Sequence, residues 1–244
     1  MVYNGMNANE TCSGNVDKHK PKADSLKRDI SEFLIRSGAV KFGSFKLKSG
    51  RVSPYFVNLG AIGDGARMSE LGAFYARAIV DAGLADRTDV LFGPSYKGIP
   101  IAVSTSVALH RDHGISIRFS FNRKEAKDHG EGGMIVGSAL RDGDRVGILD
   151  DVMTTGKTKE EVLNVLRSAA NVEISYIMIA VDRLERGETE MAATREFEQR
   201  YGIRVLAIVD INDVLSTALS LGLASEGEAS SVRAYLAEYG GKAR

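Results

Sequence analysis

A single cysteine, Cys12, in 244 residues leaves no intrachain disulfide and no cysteine-built metal cage, and points to a reducing, cytoplasmic setting. The opening stretch has no apolar run of the ~7 residues a secretory signal needs. Nothing later reaches the ~18 apolar residues of a membrane span. An excess of charge is missing too: 32 Lys and Arg meet 32 Asp and Glu, so a general basic coat for nucleic acid is excluded and any anion site is a local concentration. Internal repeats and low-complexity tracts are also lacking. Asn9-Glu10-Thr11 spells a glycosylation acceptor, but with no secretion signal beside it the match is read as chance.

What is there is an ordinary core composition, 43% hydrophobic and 26% charged, in a length that suits one large domain. Residues 1–22 are polar and poor in aliphatic side chains, and are expected to be a disordered tail, with one domain over 23–244. Leu26, Ile30, Phe33 and Leu34 recur at helical spacing behind a cap at Asp24 or Ser25. Two short extended runs follow on either side of Ser49-Gly50, and then a helix over 68–82. From there a strand–loop–helix grammar repeats: strand 90–92 with helix 99–110, strand 145–149 with helix 157–168, strand 174–181 with helix 188–201, then strand 205–209 and a closing helix over 231–239. The class is α/β, a mostly parallel central sheet with helices on both faces, which binds ligands outside the carboxyl ends of its strands.

The loops at those ends hold the chemistry. In LDDVMTTGKT, residues 149–158, a buried strand delivers Asp150 and Asp151 to the mouth of a Thr/Gly turn that opens a helix. Free amides at the helix start, with Thr154, Thr155 and Thr158, can wrap a phosphate, and Gly156 lets backbone approach closely. The acids suit neighbouring sugar hydroxyls or a hydrated magnesium ion, and phosphate with diol describes a ribose 5-phosphate. A nucleoside-triphosphate P-loop needs Gly where this chain has Asp151. In GPSYKGIP, residues 93–100, glycines bracket Lys97 at another helix start, a reasonable diphosphate site. FNRKEAKDHGEGG, residues 121–133, is a polar, glycine-ended and mobile loop; were it extended, Arg123, Lys127 and His129 would share one face.

Together with FKLKSGR, SPYFVN and DRLERG, these segments resemble the type I phosphoribosyltransferases, and within them the orotate-specific branch, from about Leu26 to the C-terminus. The resemblance implies the family's sheet with a small N-terminal hood of short strands and a helix. It implies phosphoribosyl transfer from 5-phosphoribosyl 1-diphosphate to orotate, giving orotidine 5'-monophosphate and diphosphate in pyrimidine synthesis, with magnesium as cofactor, held mainly by substrate and waters. Carried onto this chain, ribose and phosphate contacts fall on Asp150, Asp151, Val152, Met153, Thr154, Thr155, Gly156, Lys157 and Thr158. Diphosphate contacts fall on Tyr96, Lys97 and Lys124, and Lys48 reaches the substrates. Orotate lies against Phe56 and Val57, with Thr154 and Arg183 as polar partners. The loop with Arg123, Lys127 and His129 closes over the neighbouring subunit's site, implying a homodimer. The alternatives are a purine-base phosphoribosyltransferase and a non-enzymatic sensor of phosphoribosyl diphosphate that binds nucleic acid.

Overall fold

The computed structural model describes residues 20–47, 50–127, 133–154 and 156–242. Its centre is a six-stranded sheet in the order β5-β4-β3-β6-β7-β8. The strands are β3 (Val90–Gly93), β4 (Arg118–Lys127), β5 (Gly133–Gly137), β6 (Arg145–Asp150), β7 (Glu173–Asp182) and β8 (Val205–Asp210). All neighbours are parallel except β4 and β5. The expected mostly parallel α/β sheet is therefore present. An antiparallel pair, β1 (Val40–Lys46) and β2 (Val52–Val57), lies apart from it; it is the hairpin expected from the two extended runs and matches the short strands of the hood that the resemblance implies.

Burial on both faces explains why the central strands read as apolar runs rather than alternations. The period of two still sorts their side chains. Leu91, Leu149, Met178 and Ala180 enter a core with α1 (Lys20–Arg36), α2 (Gly65–Asp81), α3 (Gly98–His113), α6 (Ile211–Ser220) and α7 (Glu226–Tyr239). Val90, Phe92, Val146, Ile148, Ile177 and Ile179 enter the other core, beneath α4 (Lys157–Ala169) and α5 (Ala193–Tyr201). Asp150 has the parity of Val146 and Ile148, so its side chain falls on the α4 side of the sheet.

Several boundaries differ from the sequence reading. Helix α1 begins at Lys20, with Asp24 and Ser25 inside it rather than capping it; residues 1–19, most of the expected tail, lie outside the described residues. Segment 121–127 is not loop but the outer part of β4. Beyond Phe121, paired with Gly93 at the end of β3, the strand continues against β5 alone and needs only backbone hydrogen bonds, so its polar side chains are no obstacle. Helix α5 starts at Ala193 instead of 188, because the Glu196 carboxylate accepts hydrogen bonds from the Glu188 and Thr189 amides and folds that stretch into a turn. Helices α6 and α7 begin with capping boxes, Asp210 with Asp213 and Ser225 with Glu228; α6 had not been expected, and α7 starts five residues earlier than position 231. Among the described residues no helix is long and apolar enough to cross a membrane.

Loop 94–97 is held against the sheet by two glycines. A Cβ on Gly98 would lie 2.7 Å from the Leu149 carbonyl oxygen and 2.9 Å from the Gly93 carbonyl carbon, both main-chain atoms that cannot step aside cheaply. Gly98→Ala is expected to destabilise the chain by about 1–3 kcal/mol through overpacking, read as a lower urea midpoint at unchanged slope.

Candidate active site

Strand β6 ends at the Asp150-Asp151 pair, where the structure gives each acid its own lysine. Lys97 donates to Asp151 Oδ2 at 2.5 Å from the loop after β3, and Lys159, in the first turn of α4, donates to Asp150 Oδ2. Lys159 also reaches the Val152 carbonyl at 3.2 Å. The remaining carboxylate oxygens are occupied locally, Asp150 Oδ1 by the Asp151 amide at 2.9 Å and Asp151 Oδ1 by the Val152 amide at 2.8 Å. The Tyr75 hydroxyl donates to the Asp150 carbonyl at 2.7 Å, and the Ala180 and Val181 amides of β7 donate to that of Asp151. Burial pushes the Asp150 carboxyl above its ordinary value; Lys159 opposes that rise and Asp151 adds to it. Burial also raises the Tyr75 phenol, with the two acids nearby adding to it.

Gly156 stands at the N-cap of α4 with φ 76°, and no side chain caps the helix. The first amides of α4 thus form an anion seat, since orphan donors at a helix start take phosphate oxygens readily. A cleft of about 400 Å³ runs from this seat past the acids to Tyr96 and Lys97, with Thr154 and Thr158 on its wall. Met153 contributes backbone only, its side chain being buried in the α4-side core. Thr155 lies outside the described residues, as does the side chain of Lys157.

The loop after β3 is tied to β4 by Asn122, whose Oδ1 accepts from the Ser95 amide at 3.0 Å and whose Nδ2 donates to Ser95 Oγ at 3.2 Å. Lys124 places its ammonium 4.9 Å from the centre of the Tyr96 ring. Arg123 donates to the Gly133 carbonyl at 3.3 Å, across the two strands. His129, Lys48 and the side chain of Lys127 fall outside the described residues.

Arg183 does not line that cleft. It follows β7, where its guanidinium lies 5.4 Å from the Tyr55 ring and donates to Glu185 Oε1 at 2.5 Å. The Tyr55 hydroxyl, on β2, shares that oxygen at 2.9 Å, and burial followed by Glu185 raises its phenol. Arg183 Nε is buried with no hydrogen-bond partner. On the neighbouring hood positions Phe56 is exposed and stacks on Phe45, whereas Val57 turns its side chain into the core and offers only backbone. Sequence reasoning missed Lys159, Asn122, Tyr55, Tyr75 and Glu185. A second cavity of about 370 Å³ near the ends of β7 and β8 satisfies its own polar groups, with Thr194 donating to Asp182 and Lys27 to Asp213.

An acid pair at a strand end, beside an uncapped helix start and a lysine loop, has the chemistry to suit a phosphorylated sugar, and residues 58–203 match the phosphoribosyl transferase domain family. The chain belongs to that family. Within it, the chain is 44% identical over 229 residues to an orotate phosphoribosyltransferase of Bifidobacterium longum (strain DJO10A), covering 89% of this chain and 99% of that one. It is 48% identical over 191 residues to an orotate phosphoribosyltransferase of Pseudomonas fluorescens (strain SBW25), covering 78% of this chain and 87% of that one. A crystal structure of orotate phosphoribosyltransferase from Francisella tularensis superposes with a TM-score of 0.73 at 33% identity, covering 86% of this chain and 98% of that one.

The two acids differ in what their loss exposes. Asp150→Ala leaves the ammonium of Lys159, 4% exposed, without its counterion and is expected to cost about 3–5 kcal/mol of stability. Asp151→Asn frees Lys97, whose side chain is 45% exposed and can turn to water, and is expected to cost less than about 1 kcal/mol. Thermal or denaturant unfolding of the two variants side by side checks the contrast.

Proposed function

We infer that the chain transfers the phosphoribosyl group of 5-phosphoribosyl 1-diphosphate to orotate, releasing diphosphate and orotidine 5'-monophosphate for pyrimidine nucleotide synthesis. The observation that carries the reading is the acid pair beside the glycine-opened, uncapped start of α4, with Lys97 within reach. The 5'-phosphate takes the α4 amides and the hydroxyls of Thr154 and Thr158, and the ribose hydroxyls donate to Asp150 and Asp151.

Breaking the bond from the anomeric carbon to diphosphate leaves positive charge on the sugar and negative charge on the leaving group, so catalysis is positioning and preorganised charge. Lys97 exchanges Asp151 for the diphosphate, and Lys124, Arg123 and Lys127 add charge from the β4 arm. The donor set suits a hydrated magnesium ion rather than a bare one: each carboxylate oxygen is already hydrogen-bonded once and keeps a lone pair that can accept from the ion's waters. When bound, the ion neutralises diphosphate charge. Arg183, on turning from Glu185 towards the cleft, supplies a planar fork for the orotate carboxylate, and Phe56 supplies a ring face. We place the enzyme in the cytoplasm, as a homodimer whose β4–β5 arm carries Arg123, Lys127 and His129 to the partner subunit's site and excludes water.

With magnesium and phosphoribosyl diphosphate, purified enzyme is expected to consume orotate and to leave adenine, hypoxanthine and guanine essentially untouched. A folded sample that prefers a purine, or that binds RNA without turnover, overturns the assignment. For the shared arm, an Arg123→Ala chain and an Asp151→Asn chain, each nearly inactive, are expected to regain activity when mixed and allowed to exchange. Inactivity despite demonstrated exchange refutes sharing.

A further inference from the structure

Helix α4 presents Val162, Leu163 and Leu166 to the core beneath it, and position 159 continues that stripe one turn earlier. An aliphatic residue there would extend the packing. The chain instead places a lysine, 4% exposed, whose ammonium meets Asp150 and the Val152 carbonyl. Burying an ion pair is rarely a net gain in stability over apolar residues of similar volume, so packing alone does not account for the choice.

The two lysines that serve the acid pair are not equivalent. Lys97 is half in solvent on a loop and is free to move to a diphosphate. Once it leaves, two adjacent carboxylates remain in a site where Asp150 and Asp151 are 7% and 5% exposed. Asp151 and burial then both disfavour the ionised form of Asp150. Among the described residues, Lys159 is the cation held where it can offset this. We propose that Lys159 is a positioning residue for the sugar site, keeping Asp150 ionised and its carboxylate aimed at the ribose hydroxyls after Lys97 has moved to the leaving group. This rests on the sugar-phosphate reading of the cleft and deepens it.

The titratable groups around Asp150 come from three directions: Lys159 on α4, Asp151 with Lys97 behind it on the loops, and the Tyr75 hydroxyl of α2 on its carbonyl; of these Lys159 and Asp151 act on its carboxyl. Removing the ammonium leaves burial and Asp151 unopposed. The carboxyl then holds its proton to higher pH, and the acid limb of activity moves up.

The test compares Lys159→Met, which keeps the volume and suits the stripe, with Lys159→Arg, which keeps the charge. In the Met variant, KM for phosphoribosyl diphosphate at neutral pH is expected to rise about tenfold or more, and the acid limb of kcat/KM to move up by about one pH unit or more, with recovery on the alkaline side. The Arg variant is expected to hold the limb near that of the parent. A folded Met variant whose limb does not move, or whose loss is the same at every pH, overturns the proposal. If the Met variant does not fold, Lys159→Gln takes its place under the same criteria. Calorimetric binding of phosphoribosyl diphosphate with magnesium, run over the same pH series without orotate, separates the two levels. Parent enzyme that binds the sugar without turning over orotate refutes the orotate assignment, whereas a variant binding profile that matches the parent's refutes the role of Lys159.

Discussion

Two neighbouring carboxylates at the end of a buried strand repel one another, and everything around the candidate site is arranged to let them coexist. Strand parity sends Asp150 towards α4, where Lys159 waits in the first turn, and Asp151 pairs with Lys97 across from the next loop. Main-chain amides fill the other oxygens, so neither carboxylate swings freely. The sheet makes this possible: β3 and β6 lie side by side and parallel, so both loops emerge at the same edge.

The helix start completes the arrangement. A left-handed glycine at the N-cap turns the chain into α4 with no side chain occupying its first amides, and Phe197 packs where a Cβ on Gly156 would sit. The backbone is therefore fixed from the core side while its donors face the cleft. Paired acids, an uncapped helix start and a half-exposed lysine thus converge on one cleft.

Much of this was legible in the sequence because the chemistry demands particular residue types in a short span. Asp150 to Thr158 and the bracketed Lys97 could be read directly, as could the alternation of strands and helices. What escaped depends on register in the third dimension. Lys159 reads as one more charge in a helix opening Lys-Thr-Lys-Glu-Glu until Val162, Leu163 and Leu166 are seen to fall on its face; that stripe was the available signal. Glu185 looks like part of a surface charge cluster until β2 brings Tyr55 over it. The outer part of β4 carries no apolar pattern because its pairing with β5 does not depend on apolar side chains, and α6 was hidden behind a capping box of two aspartates.

Asn122 gives the architecture a further property. Its amide grips Ser95 with both ends, so the ribbon formed by β4 and β5 and the turn bearing Lys97 are yoked at their common base. Any displacement of the ribbon is therefore passed to the turn that carries Lys97, because the two share one anchor.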